Sequence, residues 1–171
     1  MIIIQELHHF EEGLRPAQPS TVHVWDGEKW DLSPAKVVEL EQQEIENLCT
    51  RIDSTADSAR ATLAGDPLKA MEYAQAAADA QAFQDAGYPK KEVPLSVAAW
   101  VTKGRTAKQA AEQILGKADQ LTDHLLTLRT LRLKAKVQIR AHAAKGQMDL
   151  VRSVGNATLA AFRELLDSQI Q

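Results

Sequence analysis

Histidines and carboxylates are the first residues to weigh for chemistry, because general acid–base work and metal binding both fall to them. The chain has 5 histidines among its 171 residues. His8 and His9 are adjacent, and neighbours on an extended segment point to opposite faces, so they chelate poorly. His23 could approach them only if the N-terminal strands pair, and His124 and His142 stand alone on what reads as one long helix. The carboxylates Glu11-Glu12 and Glu39, Glu41, Glu44 and Glu46 lie in acidic stretches that imply solvent around them. An acid–base pair needs two carboxyls in different environments, one of them desolvated, and nothing here supplies that. No G-x-S-x-G, glycine-rich phosphate loop or C-x-x-C occurs. The one cysteine, Cys49, follows Leu48 in a helical pattern, where a thiol behaves as a small hydrophobe. The expectation is a protein that is not an enzyme, with no catalytic residue, cofactor or metal.

Recognition has better material. Trp25 and Trp30 flank a turn, and tryptophans are costly to leave in water and frequent anchors of protein interfaces; the competing role is a plug that docks the segment on its own helices. Arg129, Arg132, Lys136 and Arg140 recur every three or four residues as a cationic stripe, with Lys134 to one side. That stripe could take phosphates, but no aromatics interleave with it and a glutamate-rich helix offers an internal partner, so nucleic acid is the less favoured ligand. Leu121, Leu125 and Leu128 form an apolar seam on the same segment and, with the two tryptophans, are the expected partner-binding residues. Trp100, among Val97, Ala98, Ala99 and Val101, is expected in the core.

Local signals define the elements that must position these residues. Residues 1–32 read as a small β segment: Ile2, Ile3 and Ile4 favour a strand, and Gly13, Pro16 and Pro19 break regular structure. Thr21 to Trp25 and Glu28 to Leu32 then form a hairpin about Asp26-Gly27, with Trp25 and Trp30 placed to meet across it. Residues 33–171 read as a helical domain. Ser33-Pro34, Asp66-Pro67 and the Thr106-x-x-Gln109 capping box are starts; Gly65, Gly87 and Gly146 are stops. The expected helices are 34–64, 67–86, 95–103, 107–145 and 148–169.

Three-four spacing assigns their faces. Ile45, Leu48, Ile52, Ala59 and Leu63 mark the first helix; Leu68, Met71, Ala74, Ala78, Ala82 and Phe83 the second. The fourth carries Ala111, Ile114, Ala118, Leu121, Leu125, Leu128, Ala135 and Ile139, and the last Met148, Val151, Val154, Leu159, Phe162, Leu165 and Leu166. Gly116 suggests a close crossing or a bend. The fold class is mainly α: a long antiparallel helical hairpin or bundle with coiled-coil-like packing, preceded by a small N-terminal β-hairpin.

Composition agrees. Hydrophobic residues are 44 % of the chain and aromatics 5 %, so the apolar mass is mainly Ala and Leu, which packs closely but buries little per residue. Further burial is expected from a partner or a second copy of the chain. The net charge of −3 is unevenly placed: Met1 to Asp66 holds 13 acidic and 5 basic residues, Pro67 to Met148 holds 7 and 13. Halves of opposite charge are expected to face each other within a molecule or across an oligomer interface. The Met1-Ile2-Ile3-Ile4 start, followed by Gln5 and Glu6, is too short for a signal peptide or membrane span, so no membrane is expected.

Two stretches resemble a known family. Val24-Trp25-Asp26-Gly27-Glu28-Lys29-Trp30 is similar to the W-D/N-G-x-x-W segment of phage tail-fibre assembly and related tail-associated proteins. Tyr73 to Ala141, with Ala82-Phe83-Gln84-Asp85-Ala86-Gly87-Tyr88-Pro89, Val93-Pro94-Leu95-Ser96-Val97-Ala98-Ala99-Trp100, Thr106-Ala107-Lys108-Gln109-Ala110-Ala111 and Leu131-Arg132-Leu133-Lys134-Ala135-Lys136, looks like the helical part of phage-encoded tail proteins. The resemblance implies a chaperone or accessory factor that helps a tail fibre fold, trimerise or attach, working in the bacterial host cytoplasm during assembly or retained in the particle. Its partners would be a tail fibre or other tail protein, and it would be a homo-oligomer. The long helix departs from a compact assembly factor and leaves room for a structural role as a tail or baseplate component.

Overall fold

The computed structural model describes residues 7–10 and 13–168; the expected strand at Ile2–Ile4 and the pair Glu11-Glu12 lie outside them. Two antiparallel hairpins, β1 (Leu7–Phe10) with β2 (Gly13–Pro16) and β3 (His23–Trp25) with β4 (Trp30–Leu32), precede five helices. These are α1 (Pro34–Ala64), α2 (Pro67–Asp85), α3 (Leu95–Ala98), α4 (Ala107–Ala143) and α5 (Met148–Asp167). The chain is mostly helical. The elements change character at Ser33-Pro34, while the compact units, Met1–Asn47 and Leu48–Gln171, divide within α1.

In the first unit the hairpins follow from their turns. Asp26 Oδ1 accepts from the backbone N–H groups of Glu28 and Lys29, both at 2.8 Å, and Gly27 adopts φ +116°. Glycine alone enters that region without steric cost. The loop therefore takes Glu28 and Lys29, and the returning strand starts at Trp30 instead of Glu28. The segment expected to be broken by Gly13 and Pro16 is a strand, with Leu7 opposite Pro16 and Phe10 opposite Gly13. Gly13 sits at φ +124° at the turn, and Pro16 at the strand's end, where a missing N–H is tolerated.

In the second unit, helix starts lie where the capping residues stand. Asp66 accepts from Leu68 and Lys69 N–H, and Thr106 and Gln109 close the reciprocal capping box. α3 is shorter than the expected 95–103: Trp100 N–H bonds Val97 O and Val101 N–H bonds Ala98 O, three residues back. The turn tightens there, and Thr102 pairs with Arg105 around Gly104. One interior is made of Ala80 and Phe83 from α2, Val97 from α3, and Ala110, Ala111 and Ile114 from α4, with Trp100 half-buried at its edge. Farther along α4, Leu128, Ala135 and Ile139 are buried, as are Leu48, Ile52, Ala56 and Ala59 of α1 and Met148, Val151, Leu159 and Phe162 of α5. Asp53 joins α1 to α4 through Arg132 and Lys136, and Leu48 meets Gly155 of α5.

Two expectations are corrected. Leu68, Met71, Ala74, Ala78 and Ala82 are exposed; of the expected α2 face only Phe83 is buried, beside Ala80 and half-buried Ala76 and Ala77. Alanine surrounds α2, so periodicity could not choose its inner side, and the contact with α3 and α4 did. Gly116 makes no close crossing, since a Cβ there would meet nothing within 4 Å; the close approach is at Gly155.

Candidate functional site

Trp25 and Trp30 pair across β3 and β4, with ring centroids 5.4 Å apart and planes at 69°. Trp30 meets Phe10 edge-on at the same distance and donates from Nε1 to the Pro16 carbonyl at 2.7 Å. The Arg15 guanidinium lies 5.2 Å from the centre of the Trp25 ring and 5.7 Å from that of Phe10. One edge-on aromatic chain with a cation against it thus ties the two hairpins together. Both tryptophans are half-buried: their inner faces lock this unit and part of each ring is exposed. Asp26 is held below the ordinary carboxylate range by the Glu28 and then the Lys29 backbone N–H groups, and Lys29 is raised by its hydrogen bond and ion pair with Asp31 at 3.1 Å.

The expected α4 residues fall on more than one face. Leu128 is 1 % exposed and belongs to the interior, so it offers nothing to a partner; Leu121 and Leu125 are half-buried on that side. The cationic stripe divides. Arg132 Nε stands 3.7 Å from Asp53 Oδ1 and Lys136 Nζ 2.5 Å from Asp53 Oδ2, both turned in towards α1. Arg129 and Arg140 are exposed, as is Lys134 on their far side. Between them runs an apolar line that the sequence reading missed: Leu126, Leu133 and Val137, all exposed. Its signal was a second three-four series shifted to the opposite side of the helix, masked by the stronger inner one.

Among the described residues no group of three or more His, Cys, Asp or Glu side chains is placed to hold a metal. His8 and His9 lie on β1 opposite Arg15 and Leu14; His23 Nδ1 bonds Ser20 Oγ at 2.8 Å, and His142 Nδ1 bonds Gln147 Oε1 at 2.9 Å. A shallow depression lined by Asp123, Leu126, Thr127, Thr130 and Leu131 lies along α4 alone. A second, of 310 Å³, lies between α4 and α5 and is lined by Leu131, Ala135, Val154 and Ala157 among others. Asp79 of α2 accepts from Ser96 Oγ at 2.7 Å and Gln75 Nε2 at 2.8 Å, and these two bonds hold its carboxyl below the ordinary range. No helix among the described residues is long and apolar enough to cross a membrane.

Comparison with known proteins gives no matching family model, no similar curated protein and no similar solved structure.

Proposed function

We propose that this chain is a non-catalytic interaction protein, and specifically an assembly chaperone or accessory factor for a phage or phage-like tail fibre. The observation that supports it most is that α2 and α4 each bury one apolar face and leave a second one uncovered: Leu68, Met71, Ala74, Ala78 and Ala82 on α2, and Leu126, Leu133 and Val137 on α4. Apolar lines at helical spacing on a surface are what a client's apolar segments pack against. Coiled-coil-like packing would arise between these stripes and a client helix. The W-D-G-x-x-W segment favours the tail-fibre client, and the Trp25–Trp30 unit would present its outer rim to it. Shielding is the mechanism: the client's apolar surface stays covered in the host cytoplasm until trimerisation buries it.

Co-expression with a fibre protein tests this. Soluble, trimeric fibre should increase when the chain is present; an unchanged yield would refute the chaperone role. A structural tail or baseplate component that self-associates through α4 is the second reading, favoured by the sustained spacing along that helix. A fixed copy number in purified particles would select it. Nucleic-acid binding loses ground because Arg132 and Lys136 already face Asp53.

A further inference from the structure

The outer face of α4 has a defined chemistry. Leu126, Leu133 and Val137 are 55, 44 and 66 % exposed, and with Thr130 they recur every three or four residues on the side opposite Leu128, Ala135 and Ile139. At 1.5 Å per residue the line is about 16 Å long, three helical turns. Arg129 and Arg140 border it on one side and Lys134 on the other. Arg132 and Lys136 turn in to Asp53, whereas these three have no carboxylate partner among the described residues.

An apolar line between unpaired cations is complementary to one kind of helix: one whose apolar residues lie between carboxylates. We infer that the face of α4 from Leu126 to Arg140 is the docking site for an acidic amphipathic helix of a partner protein. The inference rests on the interaction reading above and names the chemistry of the partner. A second copy of α4 is the wrong occupant, since pairing the face with itself sets Arg129, Lys134 and Arg140 among their own like charges. Nucleic acid is the wrong occupant too. Its phosphates would meet Leu126, Leu133 and Val137, and this line has no aromatic ring on which a base could stack. The leucines and valine supply affinity for any apolar helix, and the cations choose which one.

The test uses the full chain and two synthetic helical peptides with the same leucine spacing, one flanked by glutamates and one by lysines, followed by fluorescence anisotropy. The glutamate peptide should bind roughly tenfold more tightly, with an advantage that shrinks as salt rises. Replacing Leu133→Asp with Val137→Asp should abolish binding and leave the circular dichroism intact, because both side chains are exposed. Reversing Arg129→Glu, Lys134→Glu and Arg140→Glu should invert the preference. Equal affinity for the two peptides, binding of neither, or binding that survives Leu133→Asp with Val137→Asp overturns the inference. So does a dimer in sedimentation that Leu133→Asp disrupts, or a nucleic-acid mobility shift that the charge reversal removes. If both peptides fail while co-expressed fibre is still rescued, this docking site falls and the chaperone reading stands; a preference for the glutamate peptide with no fibre rescue leaves the site and removes the client.

Discussion

Gly155 lies on the buried face of α5, and a Cβ built there would stand 2.5 Å from both methyl carbons of Leu48. Alanine in a helix interior is ordinarily better than glycine by about 1 kcal/mol. Here the added methyl must displace a buried leucine, and overpacking costs about 1–3 kcal/mol. Gly155→Ala should therefore destabilise by roughly 1 kcal/mol net in urea titrations. With Leu48→Ala added, the double variant should lose less than the two single losses together, because the new methyl occupies the vacated space. Asp79 gives a residue-scale prediction in pH. Its carboxyl is depressed by the Ser96 hydroxyl first and the Gln75 amide second, so the folded state prefers the ionised form. That preference is present above the ordinary carboxylate range and is lost as pH falls through the depressed folded value. Ser96→Ala should move the Asp79 titration upward, towards an ordinary aspartate, in carboxyl-detected NMR; an unmoved titration would show that the α2–α3 bond does not form in solution.

At the scale of elements, Asp53 ties α1 to α4. It is reached from α4 by Lys136 at 2.5 Å and Arg132 at 3.7 Å, all three side chains being about two-thirds to three-quarters covered. Removing the one anion leaves two partly desolvated cations facing each other. Asp53→Asn should cost about 1–2 kcal/mol, the full buried-pair figure being discounted for solvent access. Adding Lys136→Met should recover part of that loss, and a thermal-melt cycle measures it. Ser33, Asp66 and Thr106 announced their helices because a cap is a local transaction between a side chain and orphan N–H groups. The inner faces of α4 and α5 were legible because Leu, Ile, Val and Phe stand out from their neighbours. α2 was not, since an alanine-rich helix has no preferred side until α3 and α4 choose one. The cationic stripe was legible as a series, but its division was not. Arg132 and Lys136 lie nearer the buried Leu128, Ala135 and Ile139 face than Arg129 and Arg140 do, and Asp53 of α1 stands there to pair with them.

On the scale of the whole molecule, the Asp53 pairing with Arg132 and Lys136 joins the acidic first part of the chain to the basic second part. Arg129, Lys134 and Arg140 remain exposed on α4. The two compact units also close their interiors with different materials. The first relies on aromatic rings from separate hairpins, Phe10, Trp25 and Trp30, with the Trp30 indole donating to Pro16. The second relies on Ala, Leu, Ile and Val packed between helices. The rings of the first interior come from its own hairpins. Trp30→Ala removes both edge-on ring contacts and the indole bond at once, and a two-stranded hairpin is marginal without such support. The variant should lose the near-ultraviolet signal of the Trp25–Trp30 pair and expose the hairpin backbone to rapid hydrogen exchange. Its helical transition, followed at 222 nm, should stay where it is in the parent chain. If the helices melt earlier as well, the aromatic unit is a plug for the helical body, and the tryptophans have no rim to offer a client. If they do not, helical stability does not depend on the aromatic unit, and loss of client binding in Trp30→Ala with an intact helical melt would assign the hairpins a recognition role.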